Sequence, residues 1–289
     1  MKLFLLIAIV LALVSSTMSC IPTQPLTPAQ SPTPTPIPTP TQTITPYNGP
    51  IIDVHSQFDQ YVEREKIIKL MNQAGVATTI LSTRGTVTPE ELISFADNYP
   101  RRIVPAVRTK GYMEQKDDKY YNLLKKQVNI EQYGAMAEVL IYHAQKGDKA
   151  PLVVYDLSDE KVQAALDYTL KKNWPFVPHI EFAAAGIQRD ELMSKLEALL
   201  IRYPEHPFVL IHMGELNHIE VLQLIEAHEN IYFITSHSNP IAAGESGQPW
   251  TNMFDGDSLL IEWKQLMTEQ SDRFILGFDN VFPEHWGKY

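Results

Sequence analysis

Side chains that commonly bind metal ions recur near the ends of short apolar runs in this sequence. The candidates are Asp53, His55, Gln57, Glu138, His179, His212, His237 and Asp279. A single histidine at such a position is usually structural, but several polar groups buried at one rim would be costly without a shared partner. Imidazole nitrogens and carboxylate oxygens together suit Zn²⁺, Mn²⁺ or Fe²⁺. The set therefore predicts a divalent metal site, provided that the fold brings these residues together.

Short apolar runs alternate with amphipathic segments from Ile51 onward. The predicted strands are 51–55, 76–82, 102–107, 135–141, 175–180, 207–212, 231–236 and 273–279. Nearly continuous apolar character is typical of parallel strands that are buried on both faces. The predicted helices are 64–75, with Gly75 as its C-cap, 115–130, 158–173, 189–203 and 214–228.

This order of elements predicts the α/β class and a (β/α)₈ TIM barrel, whose usual length is about 250 residues. A doubly wound sheet is the competing fold, but it would carry a glycine-rich turn after its first strand, where this chain has none. Few residues follow Asp279, so either the barrel closes with a shortened eighth helix or the chain is truncated relative to its relatives. In a barrel the strands end at one face, where the candidate residues would meet. Alternation along the first strand predicts that Asp53, His55 and Gln57 point to the same side.

Several segments, taken in order, resemble successive strands of the amidohydrolase superfamily, in its amidohydrolase-related branch. These segments are IIDVHSQ, GAMAEVLI, PFVPHIEF, FVLIHMGE, IYFITSHS and FILGFDNVFP, and the resemblance covers essentially all of residues 51–289. The resemblance implies a metal-dependent hydrolase with His55, Glu138, His179 and Asp279 as metal ligands. It also implies that the metal activates water, that Asp279 takes the proton, and that His212 or His237 stabilises the oxyanion.

Gln57 departs from the family pattern, because it stands where the second histidine of a His-x-His pair would be. A neutral amide oxygen binds Zn²⁺ far less well than imidazole does. The difference favours one metal ion over two. Gln57 and His237 are then predicted to be substrate contacts or degenerate ligands. A metal-free site is the alternative, since the family includes members that hydrolyse without a metal.

Three functions are compatible with these residues. The first is an exported hydrolase that cuts a C–N or C–O bond of a small molecule. The second is a metal-assisted decarboxylase of the same branch, and the third is a non-catalytic lipoprotein that binds a ligand at a degenerate site. Gln57 and the short C-terminal segment favour the third function. The retained residues His55, Glu138, His179, His212 and Asp279 favour catalysis.

The N-terminal segment predicts export. Lys2 precedes an apolar run, 3–14, that is too short for a comfortable membrane span, so residues 1–20 are predicted to be a signal peptide. An uncleaved anchor helix is the alternative. Cys20 is the single cysteine of the chain, and its position directly after the apolar segment resembles that of the lipidated cysteine in bacterial lipoprotein signals. This position predicts lipidation and anchoring to the membrane or cell surface. Thr17 stands where such signals usually have leucine, so cleavage and secretion remains the alternative.

Residues 21–50 form a linker rich in proline and threonine, without a charged residue, and the catalytic domain is predicted to occupy 51–289. Proline favours extended polyproline II structure, so this segment would act as a semi-rigid tether. The chain carries a net charge of −10, which argues against a nucleic-acid partner because phosphate binding needs a cationic face. The expected partners are a small-molecule substrate and the membrane.

The remaining candidates concern the edges of the predicted site. The segment 241–250 is predicted to be a flexible loop that acts as a lid. Trp250, Trp263 and Trp286 would line a substrate mouth or, as is more common for aromatic residues, serve packing. The other histidines are expected to be solvated in loops or helices; they are His143, His206, His218 and His228.

Overall fold

The computed structural model describes residues 47–148, 150–238 and 240–287. The predicted signal peptide with Cys20, and nearly all of the predicted linker, lie outside the described residues. Within the described ranges, no helix is both long enough and apolar enough to cross a membrane. These residues form a mixed α/β fold in which parallel strands alternate with helices.

The strands are mostly short and parallel. They are β1 (Ile51–Phe58), β2 (Val76–Thr83), β3 (Ile103–Val107), β4 (Ala135–Met136), β5 (Val139–His143), β6 (Val153–Val154), β7 (Pro178–Ile180), β8 (Phe208–Leu210), β9 (Ile231–Ile234), β10 (Phe254–Asp255), β11 (Ser258–Leu259) and β12 (Phe274–Ile275). Parallel pairing follows the order β1-β2-β3-β4, joins β5 to β7, and gives β8-β9-β12. The pairs β5–β6 and β10–β11 are antiparallel.

Further backbone contacts connect these groups of strands. Phe176 forms a parallel bridge with Phe208, which links the chain entering β7 to β8. The segment 276–280 lies along β1, where the amide of Asp279 donates to the carbonyl of His55 at 2.7 Å and the amide of Val54 donates to the carbonyl of Leu276 at 3.1 Å. The parallel sheet therefore curls, and its last segment is hydrogen-bonded to its first strand.

Helices follow most of the parallel strands along the chain. They are α1 (Arg64–Ala74), α2 (Pro89–Asn98), α3 (Asp117–Val128), α4 (Glu160–Lys172), α5 (Arg189–Arg202), α6 (His218–Ala227), α7 (Pro240–Ser246), α8 (Ile261–Glu269) and α9 (Pro283–Trp286). Capping fixes several of these boundaries. Thr88 forms a capping box with Glu91 at the start of α2, and Asn217 does so with Glu220 at the start of α6. Gly75 ends α1 in the left-handed conformation (φ 71°), as predicted.

Apolar side chains fill the space on both faces of the curled sheet. The larger core includes Ile67 and Met71 from α1 and Leu196 from α5, packed with strand residues such as Leu81 and Phe208. A smaller cluster consists of Val177, Val209, Ile211 and Ile234, with Val54 packed against it. The smaller cluster adjoins a cavity of about 170 Å³ whose lining includes Val54, Ile80, Val209, Ile234 and His55. His55 therefore has apolar neighbours in addition to its polar partners.

Several predicted boundaries differ from the structure. The predicted strand 135–141 is interrupted between β4 and β5, and the predicted strand 207–212 ends at Leu210 because a left-handed turn begins at His212. The predicted strand 273–279 keeps regular pairing only in β12. The predicted loop 241–250 contains helix α7, so the expectation of an irregular segment was wrong there. The helix after the last strand, α9, is short, as expected.

Candidate functional site

The fold brings most of the predicted polar residues together where the parallel strands end. In chain order these residues are His55 and Gln57 on β1, Glu138 between β4 and β5, His179 on β7, His212 after β8, His237 after β9 and Asp279 after β12. Parallel strands place their carboxyl ends on one edge of a sheet, which explains why residues so distant in sequence meet. The side chains are buried apart from that of His237, which is 22 % exposed.

Asp279 lies at the centre of this cluster. Its Oδ1 atom is 2.9 Å from Gln57 Nε2 and 3.3 Å from His55 Nε2. Its Oδ2 atom is 3.4 Å from His237 Nδ1 and 3.6 Å from His212 Nε2. Burial alone would raise the pKa of this carboxyl, but the neighbouring imidazoles of His237, His55 and His212 hold the pKa well below its ordinary value. Asp279 is therefore a carboxylate at neutral pH.

The environment of Asp53 in the structure differs from the predicted one. Its carboxylate accepts hydrogen bonds from Ser56 Oγ at 2.6 Å, from Thr79 Oγ1 at 2.8 Å and from the amide of Phe278 at 3.0 Å. The register of β1 against β2 shifts between Asp53 and Ser56, which interrupts the simple alternation on which the prediction relied. Asp53 thus ties β1 to β2 and to the segment 276–280, and the prediction that it faces the site with His55 and Gln57 was wrong.

Glu138 forms the second centre of negative charge. Its Oε1 atom accepts from Lys110 Nζ at 3.1 Å and from Gln57 Nε2 at 3.3 Å, and its Oε2 atom lies 2.6 Å from His179 Nδ1. Burial alone would raise the pKa of Glu138, but Lys110 and His179 lower it well below the ordinary value. Gln57 consequently donates to two carboxylates at once, those of Glu138 and Asp279.

His179 lies between two carboxylates. Its Nδ1 atom faces Glu138, and its Nε2 atom is 3.0 Å from Oε1 of Glu181. Burial alone would lower the pKa of His179, but these two hydrogen bonds raise it above its ordinary value. Both ring nitrogens act as donors in this arrangement. The structure therefore brings the predicted ligand His179 together with Glu138 and Glu181, and each of its nitrogens is engaged by a carboxylate.

Lys146 supplies a further cation beside Glu181. Its Nζ atom is 2.6 Å from Glu181 Oε1 and 3.5 Å from His143 Nε2. His143 lies on β5 and is buried, so the expectation that it is solvated was wrong; burial lowers its pKa to about 3. His206 is also buried, with Nε2 3.3 Å from Thr169 Oγ1, and the same expectation was wrong for it.

Three residues of the site adopt a left-handed backbone conformation. The φ angles are 54° at His212, 56° at His237 and 51° at Asp279. After His212, the left-handed conformation continues through Met213, Gly214 and Glu215. Residues with a Cβ atom adopt this conformation at a cost of about 1–2 kcal/mol each, and such strain is concentrated at functional sites. The backbone thus has an unfavourable conformation at the residues that carry these side chains.

Trp250 covers the two histidines that face Asp279. Its ring stacks on His212 with centroids 4.8 Å apart and on His237 with centroids 5.6 Å apart. Lys146 Nζ lies 4.3 Å from the centre of the Trp250 ring. Of the three tryptophans considered for the mouth, Trp250 contacts the site, whereas Trp263 and Trp286 are buried in the packing of the domain.

Glu215 is a buried acid in the left-handed turn after β8. Among the residues that the structure describes, neither of its carboxyl oxygens has a hydrogen-bond partner. Burial, and next the negative charge of Glu181, raise its pKa to about 9. Glu215 therefore carries a proton at neutral pH, close enough to Glu181 and Lys146 for their charges to influence it.

The residues around Asp279 fit a divalent metal ion. Among the described residues, two groups have ligand atoms within 4.8 Å of one another: His143, His179 and Glu181 form one, and His212, His237 and Asp279 form the other. Imidazole nitrogens with a carboxylate oxygen are donors that suit Zn²⁺, Mn²⁺ or Fe²⁺. His55 Nε2, 3.3 Å from Asp279 Oδ1, adds one further ring nitrogen near the same carboxylate.

Sequence reasoning did not identify several residues of the site. These residues are Lys110, His143, Lys146, Glu181 and Glu215. Glu181 carries a usable signal, because it stands two positions after His179, and alternation along a strand would direct it to the same side. The lysines follow apolar runs at no fixed spacing. Glu215 enters the site through the left-handed turn, which is not evident from the sequence.

The known proteins that resemble this chain are solved structures of low sequence identity. No family model matches the chain, and no curated protein matches it. Among solved structures, a probable 2-pyrone-4,6-dicarboxylic acid hydrolase from Acinetobacter baumannii is 13% identical with a TM-score of 0.45, covering 79% of this chain and 83% of its own. A TatD-family hydrolase from Entamoeba histolytica is 14% identical with a TM-score of 0.45, covering 80% and 73%. A TatD homologue from Escherichia coli is 15% identical with a TM-score of 0.44, covering 66% and 71%. A likeness of this degree carries no conclusion about activity.

Proposed function

We propose that this protein is an exported metal-dependent hydrolase that cuts a C–N or C–O bond of a small molecule. The observation that carries the proposal is the environment of Asp279. Its buried carboxylate faces three imidazoles, those of His55, His212 and His237, at distances from 3.3 to 3.6 Å. A structural aspartate would be satisfied by donors with no role in ligand binding, as Asp53 is.

We further propose that the domain is a closed (β/α)₈ barrel of the amidohydrolase type. The hydrogen bonds between β1 and the segment 276–280 support closure, because they join the last parallel segment to the first strand. In a barrel of this kind the reaction takes place at the carboxyl ends of the strands. That is the edge where Asp279, Glu138 and the histidines lie.

A divalent ion held beside Asp279 would lower the pKa of water to about 7 and polarise the substrate carbonyl. The chain supplies the groups that move protons. Asp279 is ionised, so it can accept a proton from the attacking water and return the proton to the leaving group. Gln57 donates to Asp279 Oδ1 at 2.9 Å and so fixes the orientation of that carboxylate.

The surroundings indicate the class of substrate. Lys110 and Lys146 bring two ammonium groups to the site, and Trp250 provides an aromatic wall over His212 and His237. Cations stabilise the negative charge that develops on a carbonyl oxygen during hydrolysis. A small ester, lactone or amide suits these surroundings. Attachment to the membrane through Cys20 is part of the proposal and would place the enzyme outside the cytoplasm.

The test is hydrolysis by the purified protein after loading with Zn²⁺, Mn²⁺ or Fe²⁺. We expect turnover of at least one member of a panel of small esters, lactones and amides, with loss of activity in a chelator. Asp279→Asn should lower kcat/KM by about 100- to 10,000-fold, since it removes the general base. The exposed Asp255→Asn change serves as the control. Absence of both bound metal and turnover would leave a non-catalytic ligand-binding lipoprotein as the function.

A decarboxylase is the second candidate, and Glu215 favours it. Decarboxylation replaces a carboxylate by a proton, so it needs a protonated acid close to the reacting carbon. Glu215 keeps its proton at neutral pH because its pKa is about 9. Release of carbon dioxide from an aromatic or unsaturated carboxylic acid, abolished by Glu215→Gln, would favour the decarboxylase over the hydrolase.

A further inference from the structure

We infer that the metal ion is bound by His212, His237 and Asp279, and that His179 lies outside the set of ligands. This inference rests on the proposed function, because it assigns the ligands of the metal that the function requires. It differs from the ligand set that the sequence resemblance implies, which contains His55, Glu138 and His179 beside Asp279 and does not contain His237. Four observations lead to it.

The first observation is the spacing of the ligand atoms. Ligands about 2.1 Å from a tetrahedral ion lie about 3.4 Å from one another. His237 Nδ1 lies 3.4 Å from Asp279 Oδ2, and His212 Nε2 lies 3.6 Å from the same atom. These separations suit groups that share one ion. By contrast, His179 Nδ1 lies 2.6 Å from Glu138 Oε2, which is the length of a charge-assisted hydrogen bond.

The second observation is the orientation of His212. Its Nδ1 atom lies 3.2 Å from the carbonyl oxygen of Ser236 and 2.9 Å from the Ser236 hydroxyl. In the tautomer with the proton on Nδ1, that atom donates to the carbonyl oxygen and Nε2 keeps its lone pair. That lone pair is on the atom nearest to Asp279. Metal-binding histidines are typically held in this way by an outer partner.

The third observation is the backbone. Each of the three proposed ligands has a left-handed φ angle, and none of them is glycine. His55, Glu138, His179 and Glu181 do not share this conformation. Strain of this kind persists only where the surrounding structure enforces it, and it is concentrated at sites of function. Glu215, in the turn after His212, has a left-handed φ angle of 57° as well. The backbone conformation therefore distinguishes this group from those four residues but not from Glu215.

The fourth observation excludes the competing group. In the group of His143, His179 and Glu181, Lys146 places its ammonium 2.6 Å from Glu181 Oε1. Both nitrogens of His179 are engaged by carboxylates. The negative charge of Glu181 is therefore already balanced by Lys146 and His179, and an added ion would have to displace these contacts. The chain Lys110–Glu138–His179–Glu181–Lys146 is better described as an ionic network beside the metal site.

The experiment measures metal affinity of the full-length protein, stripped with a chelator and titrated with Zn²⁺ or Co²⁺. We expect His237→Ala to weaken binding by at least about 100-fold and to change the visible absorption of bound Co²⁺. His179→Gln should alter the affinity by no more than about fivefold. His218→Ala, at the start of α6, is the matched control, and circular dichroism establishes that each variant is folded.

The outcomes separate the inference from the proposed function. If the wild type binds metal and His237→Ala binds it equally tightly, or if His179→Gln abolishes binding, the inference is overturned while the proposed function stands. If the wild type binds no metal, the proposed function fails. If His237→Ala does not fold, nitrogen-15 spectra of histidine-labelled wild type test the inference instead. We expect added Zn²⁺ to shift the signal of a ring nitrogen of His237. Direct coordination of His179 would overturn the inference.

Discussion

At the scale of single residues, Gln57 shows how a neutral side chain can hold two anions together. Its amide nitrogen donates to Asp279 Oδ1 at 2.9 Å and to Glu138 Oε1 at 3.3 Å. Without Gln57 the two buried carboxylates would repel each other, and each would lose one of its donors. The residue that departs from the family pattern thus has a structural role that does not require a second metal ion.

Replacement of Gln57 by leucine tests this role. In Gln57→Leu both carboxylates lose a buried donor, so we expect the free energy of unfolding in a chelator to fall by about 1–3 kcal/mol. Urea unfolding of wild type and variant measures the difference. Gln265→Leu, at an exposed position of α8, should change stability by less than about 0.5 kcal/mol. Equal stability of Gln57→Leu and wild type would contradict the role.

Glu215 predicts a specific dependence of stability on pH. Its pKa rises from an ordinary 4.5 to about 9 on folding. Its stabilising contribution is therefore complete below pH 4.5 and is lost as the pH rises towards 9, because the unfolded chain releases the proton first. The loss amounts to at most about 1.4 kcal/mol per pH unit.

Glutamine does not titrate, so Glu215→Gln removes this dependence. The free energy of unfolding of the variant, relative to wild type, should increase steadily between pH 5 and 8 at up to about 1.4 kcal/mol per unit. Urea unfolding at several pH values measures it. The change Glu269→Gln, at an exposed position of α8, is the matched control. A constant difference for Glu215→Gln would mean that Glu215 is ionised in the folded protein.

At the scale of elements, regular structure was predictable and the turns that build the site were not. The helix 189–203 was predicted because its apolar residues recur at helical spacing, and 115–130 was predicted as a more charged helix. Helices α5 and α3 confirm both within a few residues. The turn from His212 to Glu215 contains a single glycine and no other signal for left-handed backbone. Its conformation depends on tertiary contacts, which a local pattern does not encode.

The same limit applies to the pairing of polar groups. The sequence predicted that His55, Glu138, His179 and Asp279 would meet at one edge, because each lies near the end of a strand, and the structure brings them into one network. It did not predict which atoms face each other, since the bulge in β1 and the break between β4 and β5 set those directions. The contact between Glu181 and His179 was therefore not predicted.

The segment that carries Trp250 behaves as a cover in this arrangement. Helix α7 is followed by Gln248, whose side chain donates to the carbonyl of Gln145 at 2.8 Å, and by Trp250 over the histidines. None of residues 240–250 is buried, so the segment should open more readily than the strands. Loss of the Trp250 ring removes stacking worth about 0.5–1.5 kcal/mol.

Cleavage after Glu245 by a glutamate-specific protease tests this idea. Glu245 is exposed in α7, so cleavage reports opening of the segment. Trp250→Ala should be cut about 2- to 10-fold faster than wild type, the range that corresponds to the lost stacking energy. Trp174→Ala, a partly exposed tryptophan at the end of α4, is the control. An unchanged rate in Trp250→Ala would show that the aromatic contact does not hold the segment.

At the scale of the whole molecule, a bound metal ion would join segments that follow three different strands and that are otherwise held together by hydrogen bonds between short strands. His212 follows β8, His237 follows β9 and Asp279 follows β12, and these three strands form one group in the sheet. The segment with Asp279 is also hydrogen-bonded to β1. An ion shared by these residues would therefore oppose separation of the last segment from the first strand.

Metal should accordingly raise the thermal stability of the protein. Ligand at 100 times its dissociation constant adds about 2.7 kcal/mol to the free energy of unfolding, which corresponds to an increase in Tm of about 5–10 °C for a domain of this size. Scanning calorimetry with Zn²⁺ and then with a chelator measures the change. Asp279→Asn should abolish the increase, whereas Asp53→Asn, which alters a buried carboxylate outside the metal site, should lower Tm yet keep the increase. An increase that persists in Asp279→Asn would place the stabilising ion elsewhere in the molecule.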